Sequence, residues 1–261
     1  MSGLFLGLLG AAIVLVAGGR WLRLMRQVRI PADRRPYLVA SGAGALLGMA
    51  AFALGGGAVG AVAAVLAICA GLAFLGLSAA SAQARMPPAV AVGDAIVDFV
   101  ATDDQGRQFA LASLRGRPFL LKFFRGHWCP YCVAELRRWE ELRPDLASRR
   151  IEVVTVCADT AEQIRQGRAK HGLCAVMIPD ADLAITDRYN LRNPKNFAPK
   201  KGLIVPLPIP TTILVDATGT VRWIDQASDY MRRSDPDRVL AAIRSTLDVM
   251  PAEREARSQV G

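Results

Sequence analysis

The first third of the chain contains three long stretches that carry no charged residue and consist mainly of Ala, Gly, Leu and Val. They span residues 4–18, 37–54 and 58–80. A helix that crosses the hydrocarbon core of a membrane needs about 17–25 such residues, a length that the second and third stretches reach and the first approaches. We predict an all-α transmembrane region in residues 1–80 with helices at about 3–19, 37–54 and 58–80. A hydrophobic helical hairpin in a soluble protein is the alternative.

Small residues recur four positions apart within the second and third stretches and at the turn between them. This spacing lets helix backbones approach closely, so we expect the predicted helices to pack tightly against one another. The pairs are Gly44 and Gly48, Gly56 and Gly60, and Ala67 and Gly71. The first stretch begins without arginine and therefore lacks the positive segment that opens a secretory signal peptide.

The connection after the first stretch is rich in arginine and contains one acidic residue, Asp33. Its arginines are Arg20, Arg23, Arg26, Arg29, Arg34 and Arg35. Positively charged connections stay in the cytoplasm. Three spanning helices therefore place the rest of the chain on the cytoplasmic face of a bacterial-type inner membrane, whereas two spanning helices place it on the periplasmic face.

The remainder of the chain has the composition of a soluble domain. The whole chain has a net charge of +9, but most of the excess lies in the arginine-rich connection, which argues against nucleic acid as a partner. We predict a linker in residues 81–92, a folded domain in residues 93–248 and a polar tail in residues 249–261.

Two cysteines three positions apart dominate the chemistry expected of this domain. Cys129 and Cys132 follow residues 118–124, an apolar run with the length and composition of a central strand that is buried on both faces. Pro130 suits the first turn of a helix, where its missing N–H would have no partner. The pattern predicts a strand, a turn at Gly126 and an amphipathic helix with Cys129 at its N-terminus.

This position favours the thiolate form of Cys129, because unpaired N–H groups and the helix dipole stabilise an anion there. Cys129 is therefore the candidate nucleophile. Cys132 lies one turn further along and is the candidate resolving thiol. Half of a zinc site and an inert structural pair are the alternatives. Because no second ligand pair occurs at short spacing, we expect no metal, and no other cofactor is indicated.

Residues 124–132, Phe-Arg-Gly-His-Trp-Cys-Pro-Tyr-Cys, resemble the active-site segment of the thioredoxin superfamily. Residues 93–99 and 153–159 are similar to segments of its alkyl hydroperoxide reductase/thiol-specific antioxidant branch, which includes peroxiredoxin-like redoxins. Residues 209–216 resemble the superfamily strand that carries a cis-proline. The resemblance covers about residues 93–248. It implies an α/β thioredoxin-like fold, with a mixed central sheet and helices on both faces.

The resemblance also implies a site built around Cys129 and Cys132. A cis peptide bond before Pro210 would place the backbone at Pro210 and Thr211 beside Cys129, where it would form part of a substrate groove. The other supporting residues expected around the two thiols are Arg125, Trp128, Pro130 and Tyr131. Arg125 is expected either to stabilise a thiolate or to cover the start of the helix.

Two departures from the family patterns affect the expected mechanism. Peroxidases of this branch usually read Pro-x-x-x-Thr-x-x-Cys, and alignment on Cys132 replaces both the proline and the threonine. Alignment on Cys129 fits the thioredoxin pattern better, but the buried acid that thioredoxins carry six positions earlier is Phe123 here. Proton transfer at Cys132 is then left to water, to Lys122 or Glu135, or to another group.

Alternating elements are predicted for the rest of the domain. A capping box at Thr160 and Gln163 is expected to begin one helix. His127 is expected on the surface. Cys157 and Cys174 are expected to be small buried residues. We predict strands at 151–156, 175–178, 211–215 and 221–224, helices at 160–170 and 181–189, a final helix capped by Asp235, and an irregular basic loop at 190–208 around Arg192, Lys195, Lys200 and Lys201.

Three functions fit the sequence. The first is a membrane-tethered thiol–disulfide oxidoreductase, and the second is a peroxiredoxin-like peroxidase that reduces hydroperoxides. The third is a non-enzymatic adaptor anchored in the membrane. The expected partners are protein or small-molecule disulfides or hydroperoxides, a thiol electron donor and membrane lipid.

Overall fold

The structure is a computed structural model that describes residues 2–31, 33–83, 86–198, 202–231 and 236–248. The chain divides into two compact units. The first comprises Met1–Ala82 and the second comprises Gln83–Gly261.

The described residues of the first unit form three helices: α1 (Ser2–Arg26), α2 (Arg35–Leu54) and α3 (Gly57–Ala79). All three are long and apolar enough to cross a membrane, judged by length and composition. α1 extends well beyond its predicted end, because Trp21 is buried against the rings of Tyr37 and Phe74, 4.9 and 5.6 Å away. This contact keeps the arginine-bearing turns helical.

The small residues lie where the helix backbones meet, as their spacing predicts. A Cβ atom added to Gly48 would lie 2.8 Å from the carbonyl oxygen of Ala64, and one added to Gly71 would lie 2.6 Å from that of Ser41. Distances this short leave no room for a side chain. Van der Waals contact between backbones therefore holds the three helices together.

The packing of α3 gives the first prediction. Gly71→Leu should lower the free energy of unfolding of the detergent-solubilised chain by about 1–3 kcal/mol, because the new side chain overpacks the contact with α2. Gly76→Leu is the matched control, since among the described residues nothing lies within 4 Å of its added Cβ. Thermal unfolding in micelles measures both variants, and equal shifts in melting temperature would contradict the prediction.

The described residues of the second unit include nine strands: β1 (Val100–Thr102), β2 (Gln108–Ala110), β3 (Phe119–Phe124), β4 (Glu152–Cys157), β5 (Val176–Pro179), β6 (Arg192–Ala198), β7 (Leu203–Pro208), β8 (Thr211–Val215) and β9 (Val221–Gln226). Five of them form one sheet in the order β5-β4-β3-β8-β9, and the other four form two separate two-stranded ribbons, β1–β2 and β6–β7.

Where the second unit is described, five α-helices accompany these strands. They are α4 (Pro130–Glu141), α5 (Arg143–Ser148), α6 (Ala161–His171), α7 (Ala184–Arg188) and α8 (Pro236–Ile243). A 3₁₀ turn at Leu111–Leu114 precedes β3, and π-helical residues Arg244–Asp248 follow α8. The capping box predicted at Thr160 is present at the start of α6.

The central position predicted for β3 is confirmed. It pairs in parallel with β4 and antiparallel with β8, and all six of its residues are buried. Phe119, Leu121 and Phe123 face one apolar cluster that contains Tyr189. Leu120 belongs to the other cluster, together with residues of α4 and α8. The sheet is therefore mixed and covered on both faces, which is the predicted thioredoxin-like arrangement.

The prediction of an irregular loop at 190–208 was wrong. β6 and β7 pair antiparallel there, with a bulge between Asn193 and Asn196. Proline is tolerated in a two-stranded ribbon because each strand needs hydrogen-bond donors on one side only. Arg192 is paired with Asp187, whose carboxylate accepts two hydrogen bonds from the guanidinium at 2.5 and 2.6 Å. These hydrogen bonds raise the pKa of Arg192.

Other predicted features differ or lie outside the described residues. The helix expected at 181–189 shortens to α7, because the buried Asp180 carboxylate accepts hydrogen bonds from the backbones of Ile185 and Thr186 and fixes where the helix starts. Lys200, Lys201, Asp235 and the tail at 249–261 lie outside the described residues.

Candidate active site

Cys129 occupies the residue before the first turn of α4, as predicted. Its backbone is extended (φ −86°, ψ 111°) and Pro130 is the first helical residue. The Cys129 N–H donates to the carbonyl of Gly126 at 3.2 Å, and the Cys129 carbonyl accepts from the N–H of Val133 at 3.1 Å. Cys132 follows within the first turn. The two sulfurs therefore belong to one helix start at the carboxyl end of the central strand.

Both cysteines lie inside the protein. The exposed fraction is 1% for Cys129 and 0% for Cys132. Pro130 is half-buried and Tyr131, between the two cysteines, is buried. Reaction of Cys129 with any substrate therefore requires some opening of the residues around it.

Pro210 and Thr211 lie at the same edge of the sheet. Thr211 opposes Phe123 in the antiparallel pairing of β3 and β8, and both Pro210 and Thr211 are buried. The predicted cis bond was wrong, since the bond between Ile209 and Pro210 is trans. The Pro210 carbonyl accepts a hydrogen bond from the N–H of Ala227 at 2.8 Å, so this oxygen is already bound within the domain.

A buried arginine is held between two aromatic rings beside the helix start. The guanidinium of Arg125 lies 5.1 Å from the ring centroid of Trp128 and 4.9 Å from that of Tyr230. Tyr230 also contacts the ring of Tyr131 edge-on, with centroids 6.2 Å apart. Two predicted site residues, Arg125 and Tyr131, thus meet one aromatic residue about a hundred positions later. Sequence reasoning missed Tyr230 because no local pattern connects it to the cysteines.

The loop between β3 and α4 needs glycine at position 126. Gly126 has φ of +148°, and an added Cβ would lie 2.5 Å from Trp128 Nε1 and 2.7 Å from Asp159 Oδ1. The buried Asp159 carboxylate accepts a hydrogen bond from the His127 N–H at 2.6 Å. Asp159 therefore anchors the loop that presents Trp128 and Cys129. In the sequence, Asp159 was identified only as the last residue of the segment 153–159, which resembles the alkyl hydroperoxide reductase/thiol-specific antioxidant branch.

His127 and Cys174 do not lie where the sequence placed them. The His127 ring is buried: its Nδ1 is 3.3 Å from Asp159 Oδ2, and it meets Phe124 edge-on. The polar ring was expected to remain in solvent, but its interaction with the buried Asp159 carboxylate stabilises it inside the protein. Cys157 is buried as predicted, whereas Cys174 is exposed in the connection before β5.

A buried ion pair lies under the same helix. Lys122 Nζ is 2.6 Å from Glu135 Oε1, and the exposed fraction of each side chain is 1%. Lys122 also donates to Thr212 Oγ1 at 3.1 Å and lies 5.6 Å from the ring centroid of Trp139. Glu135 is three residues after Cys132, so the two side chains project from neighbouring positions on one side of α4. The two ionisable groups considered for proton transfer at Cys132 are thus bound to each other.

Comparison with known proteins identifies the family. Residues 92–224 match the AhpC/TSA family. This chain belongs to the AhpC/TSA family. It is therefore an oxidoreductase with a thioredoxin-like fold, which confirms the predicted fold and enzyme class.

Two curated relatives illustrate the range of the family. Thiol-disulfide oxidoreductase ResA of Geobacillus kaustophilus is 29% identical over 157 residues, which cover 60% of this chain and 80% of the relative. Putative peroxiredoxin bcp of Coxiella burnetii is 23% identical over 132 residues, which cover 51% of this chain and 85% of the relative. The relatives therefore include a thiol-disulfide oxidoreductase and a putative peroxiredoxin.

Solved structures support the fold. Peroxidoxin BcpB from Mycobacterium tuberculosis superposes with a TM-score of 0.50 and 20% identity, covering 59% of this chain and 96% of that protein. A cysteine-to-serine mutant of peroxiredoxin 6 from Arenicola marina superposes with a TM-score of 0.53 and 14% identity, covering 60% and 73%. At these identities the likeness concerns the fold alone.

The buried ion pair gives the second prediction. Lys122→Met alone, or Glu135→Leu alone, should lower the free energy of unfolding by about 3–5 kcal/mol, because each leaves a buried charge without its opposite. The double variant should cost clearly less than the sum of the two, since it removes both charges. Chemical denaturation of the purified chain measures all three.

Arg115→Met is the matched control for this prediction. Arg115 Nη2 lies 2.6 Å from Asp98 Oδ2, the same separation as in the buried pair, but both side chains are exposed. An exposed pair contributes about 0–1 kcal/mol. If Arg115→Met destabilised the chain as much as Lys122→Met, burial would not be the cause of the large effect.

Proposed function

We propose that this chain is a membrane-tethered thiol–disulfide oxidoreductase that uses Cys129 and Cys132 as one redox couple. The observation that carries the proposal is the placement of both cysteines in the start of α4, with Cys129 before the first turn. The helix N-terminus favours a thiolate at this position. The buried guanidinium of Arg125, four residues earlier, adds positive charge to the same loop.

The proposed reaction follows the usual course of thiol exchange. The Cys129 thiolate attacks one sulfur of a substrate disulfide, which forms a mixed disulfide and releases the other substrate sulfur as a thiolate that takes up a proton. Cys132 then attacks Cys129 and releases the second substrate thiol. The substrate gains two electrons and the protein retains a Cys129–Cys132 disulfide. A thiol donor must then reduce this disulfide, or the sequence runs in the opposite direction. The resemblance to thiol-disulfide oxidoreductase ResA supports this proposal.

Serine variants test the order of attack. Cys132→Ser should accumulate a mixed disulfide with oxidised glutathione or insulin, because the resolving thiol is absent. Cys129→Ser should form none at Cys132, and its rate of insulin reduction should fall by at least about 100-fold. Cys174→Ser is the control and should behave like the unaltered chain. Non-reducing electrophoresis with mass spectrometry detects the adduct, and trapping on Cys132 in the Cys129→Ser variant would reverse the assigned roles.

The burial of Cys129 favours a second candidate, reduction of a small hydroperoxide. A small molecule needs a narrower opening than a protein disulfide to reach a thiol that is 1% exposed. In this reaction the thiolate takes one peroxide oxygen to become a sulfenic acid and releases an alcohol. The second cysteine then forms the disulfide and releases water. A stopped-flow oxidation rate no faster than that of a free thiol would exclude this candidate.

We further propose that three helices span the membrane and that the redox domain faces the cytoplasm. The arginine-rich connection supports this orientation. Arg34, at the end of that connection, donates a hydrogen bond to Ser81 Oγ at 3.1 Å, just after the end of α3. The positive connection and the exit from α3 therefore lie at the same end of the helical unit.

Cysteine labelling in intact cells tests the orientation. Cys174, which is exposed, should react with a membrane-impermeant maleimide only after the membrane is permeabilised. Ser2→Cys, at the other end of α1, should react in intact cells because it lies on the opposite side. Mass spectrometry assigns the labelled site. Labelling of Cys174 in intact cells would place the redox domain outside and would leave two spanning helices.

A further inference from the structure

The parallel pairing of β3 and β4 brings together donor residues that are far apart in the sequence. Phe124, the last residue of β3, lies beside Cys157, the last residue of β4. Residues that follow two parallel neighbours leave the sheet at the same edge. His127 from the first connection therefore meets Cys157 and Asp159 at the end of the second strand.

The three side chains form a compact buried group. A ring nitrogen of His127, the sulfur of Cys157 and a carboxylate oxygen of Asp159 all lie within 4.8 Å of one another, and all three residues are buried. The His127 ring is also fixed in place. A Cβ added to Gly167 in α6 would lie 2.4 Å from its Cγ, so the ring rests directly on the helix backbone.

One atom of this group lacks the partner that its burial requires. Nε2 of His127 is buried and makes no hydrogen bond to any residue that the structure describes. The exposed fraction of the His127 side chain is 4%. A buried polar atom left without a partner costs about 1–3 kcal/mol. Within the described part of the chain, hydrogen bonding therefore involves only Nδ1 of this imidazole, and Nε2 is left for a ligand.

We propose that His127, Cys157 and Asp159 bind a transition-metal ion, with Zn²⁺ as the favoured species. Zn²⁺ takes histidine nitrogen, cysteine sulfur and aspartate oxygen at about 2.0–2.3 Å in a tetrahedron, so its ligand atoms lie about 3.3–3.8 Å apart. The donors therefore need to approach one another by at most about 1.5 Å. Ca²⁺ and Mg²⁺ prefer sets of oxygen ligands and do not suit this group.

Charge supports the choice of a divalent ion. A Cys157 thiolate and an Asp159 carboxylate carry two negative charges, which one Zn²⁺ ion balances while His127 remains neutral. Matched charges are what a buried ionic site requires. Binding releases the thiol proton of Cys157 to solvent. Three protein ligands leave the fourth tetrahedral position for an exchangeable ligand such as water.

This site is separate from the redox couple in its residues but shares its loop. His127 lies two residues before Cys129, and Asp159 binds the backbone of that loop. The metal would therefore fix the segment that presents the nucleophile. The proposal does not depend on which reaction Cys129 performs, because its test uses a chain without the couple.

Zinc binding to the full chain tests the proposal. The chain carries Cys129→Ser and Cys132→Ser, since that dithiol would itself bind zinc. After loading with Zn²⁺ and dialysis, elemental analysis should find about one zinc ion per chain, and adding Cys157→Ser should reduce retention at least tenfold. Adding Cys174→Ser instead, which alters an exposed cysteine of the same domain, should leave it unchanged. Less than a tenth of an ion per chain, or equal retention in the Cys157→Ser variant, would overturn the site.

A second measurement keeps Cys157 in place, in case its replacement disturbs folding. In the same double-serine chain, Zn²⁺ should slow alkylation of Cys157 at least tenfold relative to Mg²⁺, while the exposed Cys174 reacts at the same rate in both and serves as an internal reference. Co²⁺ should give a thiolate-to-metal charge-transfer band. Equal alkylation rates of Cys157 in Zn²⁺ and Mg²⁺, together with no such band, would rule out metal binding whatever the serine variant does.

Discussion

The parallel pairing of β3 with β4 is the constraint on which the site depends. It fixes where the two strands end, and both connections that leave them carry residues of the site. The loop after β3 cannot relax away from this edge, because the Asp159 carboxylate accepts its backbone N–H and lies against Gly126. The start of α4, which includes Cys129, is therefore held by the hydrogen bond between His127 and Asp159 as well as by the hydrogen bonds of α4 itself.

Charge buried around the cysteines is the second characteristic of the site. Lys122 and Glu135 form a buried ion pair, while Arg125 lies between the rings of Trp128 and Tyr230. Buried charges are costly unless they are compensated, so each constrains the side chains around it. The buried acid of thioredoxins is absent at Phe123, but a carboxylate still lies close to the helix start, supplied by α4 itself and paired with a lysine of the central strand.

Local patterns were sufficient for the elements that carry them. The apolar run at 118–124, the proline at position 130 and the capping box at Thr160 each act over a few residues, and the structure has the strand and both helix starts. The three apolar stretches and their glycine spacing likewise correspond to three closely packed helices. Charge and proline content misled the interpretation of 190–208, because backbone pairing in a ribbon depends little on side-chain polarity.

The remaining parts of the site depend on contacts distant in sequence. Nothing near Tyr230 indicates that its ring will cover Arg125, and nothing near His127 indicates that Asp159 will draw it inside. The cis-proline came from resemblance alone, and the bond before Pro210 is trans. The two cysteines were identifiable because one short segment contains the pattern that marks them. The residues that set their reactivity come from distant parts of the sequence and are brought together by the fold.

The near-complete enclosure of Cys129 has a kinetic consequence. A sulfur with 1% exposure reacts only from a minor population in which the covering side chains have moved aside. At low reagent concentration the observed rate scales with the size of that population. At high concentration it levels off at the frequency of opening, which belongs to the protein and not to the reagent. At high concentration, chemically different reagents would then react with Cys129 at the same maximal rate. Opening of the loop, rather than bond formation at the sulfur, would limit that rate.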